Sequence, residues 1–187
     1  KIYNGALDNA SGVASMLEMA RELTKVKPAP KRSILFVAVT AEEQGLLGSG
    51  FYVAHPLVPL SQTVAVLNMD ALCFGGRTRD VRVVGAGASE LERYLAEEAA
   101  RRGITPVPEL QPEKGHFYRS DHFVFAQAGV PALYLKTGID DLDGGIVVKA
   151  AVAANHERRA GSKRERVEHR LDEALQVMRL PEHADLL

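Results

Sequence analysis

The chain has 187 residues, of which 46% are hydrophobic and 25% charged, and its formal net charge is −1. This composition is typical of a globular protein and excludes a disordered chain, while the near-zero charge gives no sign of a nucleic-acid-binding surface. No apolar run reaches the ~20 residues that span a bilayer, and a single cysteine excludes an internal disulfide framework.

Helices and strands are predicted to alternate along the first half of the chain. The segment 9–12 supplies cap residues for a helix whose apolar positions recur at helical spacing from Val13 to Leu23. Residues 33–39 form a continuous apolar run, which predicts a strand buried on both faces. Residues 63–69 predict the next strand in the same way. The order helix, strand, strand indicates a layered domain.

The second half continues the alternation. It predicts a strand over 80–84, a helix over 89–101 that ends before Gly103, a short helix over 123–127 and a buried strand over 131–135. Together these elements predict an α/β fold, a three-layer α/β/α sandwich with a mixed, mainly parallel central sheet. In such sheets ligands bind beyond the carboxyl ends of the strands.

The character of the sequence changes after Gly138, where it becomes rich in glycine and then in alanine. A stripe of apolar residues then predicts an amphipathic C-terminal helix: Val167, Leu171, Leu175 and Met178. We therefore expect a core over residues 1–140 and a tail over residues 141–187 that docks on the core or is partly disordered.

Acidic residues stand at the ends of the predicted elements. Asp8 precedes the first helix, Glu42 and Glu43 follow the first apolar strand, and Asp70 ends the second. Taken singly, these residues are typical of a helix cap, a solvated loop and a turn. Taken together, carboxylates at adjacent strand ends would repel one another and need a counter-charge, which a pair of divalent metal ions supplies.

Five segments in this order resemble the zinc aminopeptidase superfamily, which includes bacterial leucyl-type aminopeptidases, glutamate carboxypeptidase II and the transferrin receptor ectodomain. The segments are residues 5–14, 39–50, 68–72, 119–123 and 129–133. The resemblance implies a zinc-dependent exopeptidase that holds two zinc ions and removes N-terminal residues from peptide substrates. Because members are often exported, it also implies a periplasmic or secreted location.

The resemblance assigns a role to each of the four carboxylates. Asp8 matches the carboxylate that bridges both zinc ions, Glu43 matches a ligand of one ion, and Asp70 matches a ligand of the other. Glu42 matches the general base that takes a proton from the metal-bridging water. The resulting hydroxide would attack the peptide carbonyl, and zinc would stabilise the oxyanion.

Three residues near the segment 119–123 are predicted to contribute to substrate binding. By resemblance, Asp121 and His122 shape the site without binding metal, although His122 also suits a structural histidine. Tyr118 can donate a hydrogen bond to the oxyanion, with a packed aromatic ring as the alternative. His116 is similarly ambiguous, and His55, which precedes a proline, indicates a surface turn.

The sequence departs from the family pattern at two histidines, one for each zinc ion. The family's His-x-Asp segment lies upstream of the residue that Asp8 matches, and this sequence begins too late to include it, so we expect a truncated N-terminus. The nearest counterpart of the second histidine is His156, but a register anchored on Asn155 and His156 puts Arg158 at the ligand position. The tail after Asp140 also departs from the pattern. Without both histidines, metal affinity should fall and hard cations should be favoured over zinc.

Two other functions remain open at this point. An inactive, receptor-like domain that keeps the fold without the metals is favoured by the missing histidines. A glutaminyl cyclase-like acyltransferase that uses a single zinc ion is the second alternative. The adjacent pair Glu42 and Glu43, together with the segment 8–12, favours the peptidase over the cyclase.

Overall fold

The computed structural model of the chain describes residues 5–72 and 77–142. The predicted C-terminal helix and His156 lie outside the described residues. The α-helices within them are α1 (Ala10–Leu23), α2 (Leu47–Ala54), α3 (Leu91–Arg101) and α4 (His122–Gln127). The strands are β1 (Val66–Met69), β2 (Asp80–Val84), β3 (Thr105–Pro108) and β4 (Ala132–Thr137). None of the described helices is long and apolar enough to cross a bilayer.

The four described strands form one mixed sheet in the order β1, β4, β2, β3. β1 runs parallel to β4 and β2 runs parallel to β3, whereas β2 and β4 are antiparallel. The predicted α/β class with a mixed, mainly parallel sheet is therefore confirmed. Met69 pairs with Leu135 at the carboxyl ends of β1 and β4, so the residues that follow both strands share one edge of the sheet.

The core lies between α3 and the middle of the sheet. Val81 and Val83 of β2 and Leu133 and Leu135 of β4 form one buried cluster with Leu95. α3 contributes Leu95 because its apolar residues recur at helical spacing, which presents one face to the sheet. α3 thus packs against the central strands β2 and β4. Among the described strands, β1 lies at one edge of the sheet, and the candidate site lies beyond its carboxyl end.

The prediction of a buried strand over residues 33–39 is wrong. This segment belongs to none of the described strands, and Ile34, Leu35 and Val37 are 41%, 51% and 37% exposed. An apolar run favours a strand, but burial needs a hydrogen-bonded neighbour and a covering layer, and the described residues provide neither for this segment. The strand predicted over 63–69 is also shorter than expected, because a 3₁₀ turn at Leu60–Gln62 delays its start to Val66.

Candidate functional site

A hydrogen-bonded clamp joins the start of α1 to the end of β1. The Oδ1 atom of Asn9 accepts hydrogen bonds from the main-chain N–H of Gly12 (3.0 Å) and of Ala71 (3.2 Å). Its Nδ2 atom donates to the carbonyl oxygen of Met69 (3.0 Å). Asn9 is therefore the N-cap of α1, as the sequence predicted, and it also binds the residues on both sides of Asp70.

The clamp leaves the neighbouring Asp8 carboxylate available for another role. Asp8 stands one residue before the cap, and its carboxyl group is in hydrogen-bond contact with that of Glu43. A second bond supports the same junction, because Ser11 Oγ accepts from the main-chain N–H of Leu72 at 3.1 Å. The start of α1 thus carries Asp8 to the end of β1, where Asp70 lies.

The Glu42–Glu43 pair lies on a tight turn against α2. The pair opens a 3₁₀ turn, Glu42–Gln44, which follows Ala41 in the left-handed conformation (φ 57°). The main-chain N–H of Gly48 donates to the carbonyl of Thr40 at 3.0 Å, and a Cβ at Gly48 would lie 2.2 Å from that oxygen. A non-glycine residue with positive φ is strained, and such strain is concentrated at functional sites.

Asp70 is held by two hydroxyl groups. Ser120 Oγ donates to Asp70 Oδ2 at 2.8 Å, and the Tyr134 hydroxyl donates to the same oxygen at 3.3 Å. Asn68 Nδ2 in turn donates to Ser120 Oγ at 2.7 Å. Burial, followed by the charge of Asp70, raises the pKa of Tyr134 far above its usual value, so the phenol remains a donor. Ala71 follows in a left-handed conformation (φ 51°), which turns the chain sharply after Asp70.

The charges of Glu43 and Asp70 act on both Asp8 and Glu42. Desolvation, and then the charges of Asp70 and Glu43, raise the pKa of Asp8. The same causes, with desolvation again largest, raise the pKa of Glu42 to about 7. A negative charge that raises the pKa of another carboxyl group lies near that group. The cluster therefore needs protons or cations to balance its charge.

The cluster fits a divalent cation in charge and in the chemistry of its donor atoms. Its donors are carboxylate oxygens, which hard cations prefer, whereas catalytic zinc sites commonly add histidine nitrogen. Within the described part of the chain, no three His, Cys, Asp or Glu side chains are arranged as a ready ligand set. The fit is therefore one of charge and chemistry, and the residues that would hold a cation are Asp8, Glu43 and Asp70.

The residues predicted to bind substrate lie on the α4 side of the cluster. Asp121 accepts a 2.6 Å hydrogen bond from Ser49 Oγ, and desolvation raises its pKa. Its charge also contributes to the raised pKa of Glu42. Tyr118 is 63% exposed and meets the ring of Phe123 edge-on at 5.2 Å. The charge of Asp121 thus reaches Glu42, and Tyr118 lies on the surface three residues earlier in the sequence.

His122 lies beneath this surface. Its ring is fully buried between Phe117 and Tyr134, with centroids 4.8 Å from each, and neither ring nitrogen has a hydrogen-bond partner. Burial lowers the pKa of His122 to about 4, so the ring is neutral near pH 7. A position behind Tyr134 suits a residue that shapes the site, as the resemblance implied. His55 stacks on Phe51 at the exposed end of α2.

Four residues of this arrangement were absent from the sequence-based site. Asn9, Ser49, Ser120 and Tyr134 connect the carboxylates to one another and to the fold. Asn9 and Ser120 each adjoin a residue that was singled out, and they lie in the segments 5–14 and 119–123 that carry the resemblance. Ser49 and Tyr134 sit inside regular elements and are indistinguishable from packing residues by pattern alone.

Comparison with known proteins gives a family match for most of the chain. The model of "Peptidase family M28" matches residues 1–173. A "Probable zinc metalloprotease" of Pyrenophora tritici-repentis is 34% identical over 164 residues, which cover 69% of this chain and 33% of that protein. "Aminopeptidase YwaD" of Bacillus subtilis is 59% identical over 51 residues, which cover 27% of this chain and 11% of that protein.

Solved structures show the same fold. LapA of Legionella superposes with a TM-score of 0.64 at 23% identity, over 92% of this chain and 46% of that one. At this identity the likeness concerns the fold alone. The chain spans about a third of the length of the zinc metalloprotease relative and under half of that of LapA.

Proposed function

The chain belongs to peptidase family M28, and from this membership we propose that it acts as a zinc-dependent aminopeptidase that releases N-terminal residues from peptides with Glu42 as general base. The observation that supports the proposal is that the charges of Glu43 and Asp70 act on both Asp8 and Glu42, although these residues come from three separate segments. The zinc metalloprotease and aminopeptidase relatives support the same reaction class.

The position of Glu42 suits a general base. The charges of Asp70 and Glu43 act on its carboxyl group, which places it near the residues that would hold the metal ions. When bound, zinc acidifies water and polarises a carbonyl group. Glu42 would accept a proton from the attacking water and return it to the nitrogen of the leaving amine. The scissile C–N bond breaks as that nitrogen takes the proton.

The inactive, receptor-like alternative is supported by the missing histidines and by one structural observation. The described residues contain no complete ligand set for a metal ion. That alternative and the peptidase differ in one measurable property, which is chelator-sensitive hydrolysis. The glutaminyl cyclase-like alternative predicts instead the release of ammonia from N-terminal glutamine peptides.

Hydrolysis of leucyl-anilide by the purified chain, loaded with zinc, tests the proposal. We expect turnover that a chelator abolishes and that Glu42→Gln reduces by a factor of about 10²–10⁴, the usual contribution of a general base. Glu97→Gln is the matched control, because Glu97 is an exposed residue of α3 paired with Arg93. Zinc-loaded wild-type protein without turnover would overturn the proposal in favour of the inactive domain.

A further inference from the structure

A buried hydroxyl links α2 to α4. Ser49 is completely buried, and its Oγ atom donates to Asp121 Oδ1 at 2.6 Å, across 72 positions of sequence. The same oxygen lies 3.2 Å from the carbonyl of Leu46 in the preceding turn. The rings of Tyr52 in α2 and Phe125 in α4 meet at 5.7 Å. The two helices thus contact each other through both a ring pair and the partly buried bond from Ser49 to Asp121.

One end of this link leads to the Glu42–Glu43 turn. The main-chain N–H groups of Gly45 and Leu46 donate to the carbonyl of Glu42 at 3.0 Å and 2.9 Å. The N–H of Gly50 then donates to the carbonyl of Leu46 at 2.9 Å. The turn and the first residues of α2 are therefore one hydrogen-bonded unit, and a shift of α2 carries Glu42 with it.

The other end leads to Asp70. Asp121 directly follows Ser120, whose hydroxyl donates to Asp70 Oδ2. The side chain of Asp121 makes no capping bond to α4, so its bond to Ser49 is not a by-product of helix capping. Ser49 and Asp121 thus close a connection between the Glu42 side of the carboxylate cluster and the Asp70 side.

We propose that Ser49 is a positioning residue, whose hydrogen bond to Asp121 sets the separation between the Glu42–Glu43 turn and Asp70. The catalytic effect of Ser49 rests on the proposed function, whereas its positioning of the Glu42–Glu43 turn does not. A hydrogen bond to a carboxylate is stronger than one between neutral groups, and the donor Ser49 is fully buried. Mutation of residues that orient metal-binding groups by hydrogen bonds typically changes metal affinity or activity by a factor of about 10–100.

Amide hydrogen exchange of the metal-free chain tests the proposal without reference to activity. In Ser49→Ala, we expect the amides of residues 45–48 to exchange at least tenfold faster, while those of α3 keep their wild-type rates. Ser61→Ala is the matched control, because Ser61 is exposed in a 3₁₀ turn. Unchanged exchange at 45–48, or equal acceleration in α3, would overturn the proposal.

Substitutions of Asp121 separate the hydrogen bond from general damage to the fold. Asp121→Ala should accelerate the same amides as Ser49→Ala, and the double variant should add nothing further, because both remove one bond. Asp121→Asn keeps an Oδ1 acceptor and should stay within about threefold of wild-type exchange. Additive effects in the double variant would contradict a shared role.

The functional arm uses zinc affinity and the kinetics of leucyl-anilide hydrolysis. Ser49→Ala should weaken zinc binding by a factor of about 10–100 and lower kcat more than it raises KM. If exchange responds as described but the wild-type chain neither binds zinc nor hydrolyses substrate, Ser49 still positions the turn and the proposed function fails. If zinc binding and kcat are unchanged in a Ser49→Ala protein with wild-type exchange, the positioning role itself is contradicted.

Discussion

The side-chain amide of Asn9 donates a 3.0 Å hydrogen bond to the main-chain carbonyl of Met69, and this bond fixes the start of α1 against the end of β1. Asp8 and Asp70 each adjoin one of the two bonded residues. Their proximity is therefore built into the backbone and does not depend on a bound ion. The carboxylate cluster is a property of the fold in this sense.

Loss of this clamp should be costly. Asn9→Ala removes the N-cap bond to Gly12 and the bonds to Met69 and Ala71. We expect a decrease of roughly 2–4 kcal/mol in the free energy of unfolding, from a lost cap and lost hydrogen bonds. Urea denaturation measures it. Asn9→Asp keeps the Oδ1 acceptor but lacks the donor. An equal loss of stability in both variants would therefore show that the bond to Met69 accounts for most of the stabilisation.

Two helical glycines should respond in opposite directions to alanine. A Cβ at Gly12 would lie 2.4 Å from both Asn9 Oδ1 and the Met69 carbonyl, whereas nothing lies within 4 Å of a Cβ at Gly50. Gly12→Ala should destabilise the protein by about 1–3 kcal/mol through overpacking. Gly50→Ala should stabilise it by about 0.5–1 kcal/mol through helix propensity. Thermal unfolding of both variants checks the contrast, and a stabilised Gly12→Ala protein would refute the close approach.

The two hydroxyl groups on Asp70 should contribute unequally to zinc affinity. Ser120 donates at 2.8 Å and Tyr134 at 3.3 Å, to the same carboxylate oxygen. We expect Ser120→Ala to weaken zinc binding by a factor of about 10–100 and Tyr134→Phe to weaken it by less. Competition with a chromophoric chelator gives both constants. A larger loss of zinc affinity in Tyr134→Phe than in Ser120→Ala would mean that the longer bond orients Asp70.

Acid should destabilise the protein partly through His122. Its folded-state pKa of about 4 lies below the ordinary value of 6.5, so the unfolded chain binds the proton first. The contribution of His122 to stability is therefore complete above about pH 6.5 and is lost as the pH falls toward 4. Urea titrations from pH 7 to pH 4 should show a smaller acid loss in His122→Asn than in wild type. His55→Asn is the control, because His55 is exposed.

The sequence predicted the class of the sheet and the places of Asp8 and Asp70 at the ends of elements, but it failed for one strand. Asp70 could be placed because a carboxylate that follows an apolar run lies at a strand end, and Asp8 because a cap segment follows it. The same reasoning gave a wrong strand over residues 33–39. An apolar run shows that a segment can be buried, but it does not show whether a neighbouring strand is present to pair with it.

The supporting hydrogen bonds were beyond sequence reasoning. Ser49 and Tyr134 lie within a helix and a strand, where a polar atom is placed by contacts across the fold and leaves no periodic signal. The predicted roles of Asp121, His122 and Tyr118 toward substrate remain predictions. His122 shows the difference most clearly, because only the structure reveals that its ring is fully buried behind Tyr134.

Zinc titration of the metal-free chain near pH 7, with calorimetry and measurement of released protons, tests most directly whether the carboxylates form one cation site. We predict binding accompanied by proton release, because the raised pKa of Glu42 leaves the cluster partly protonated at this pH. Asp8→Asn, Glu43→Gln and Asp70→Asn should each weaken binding, while Glu97→Gln should not. Zinc binding that all three substitutions leave unchanged, or no binding at all, would contradict the account.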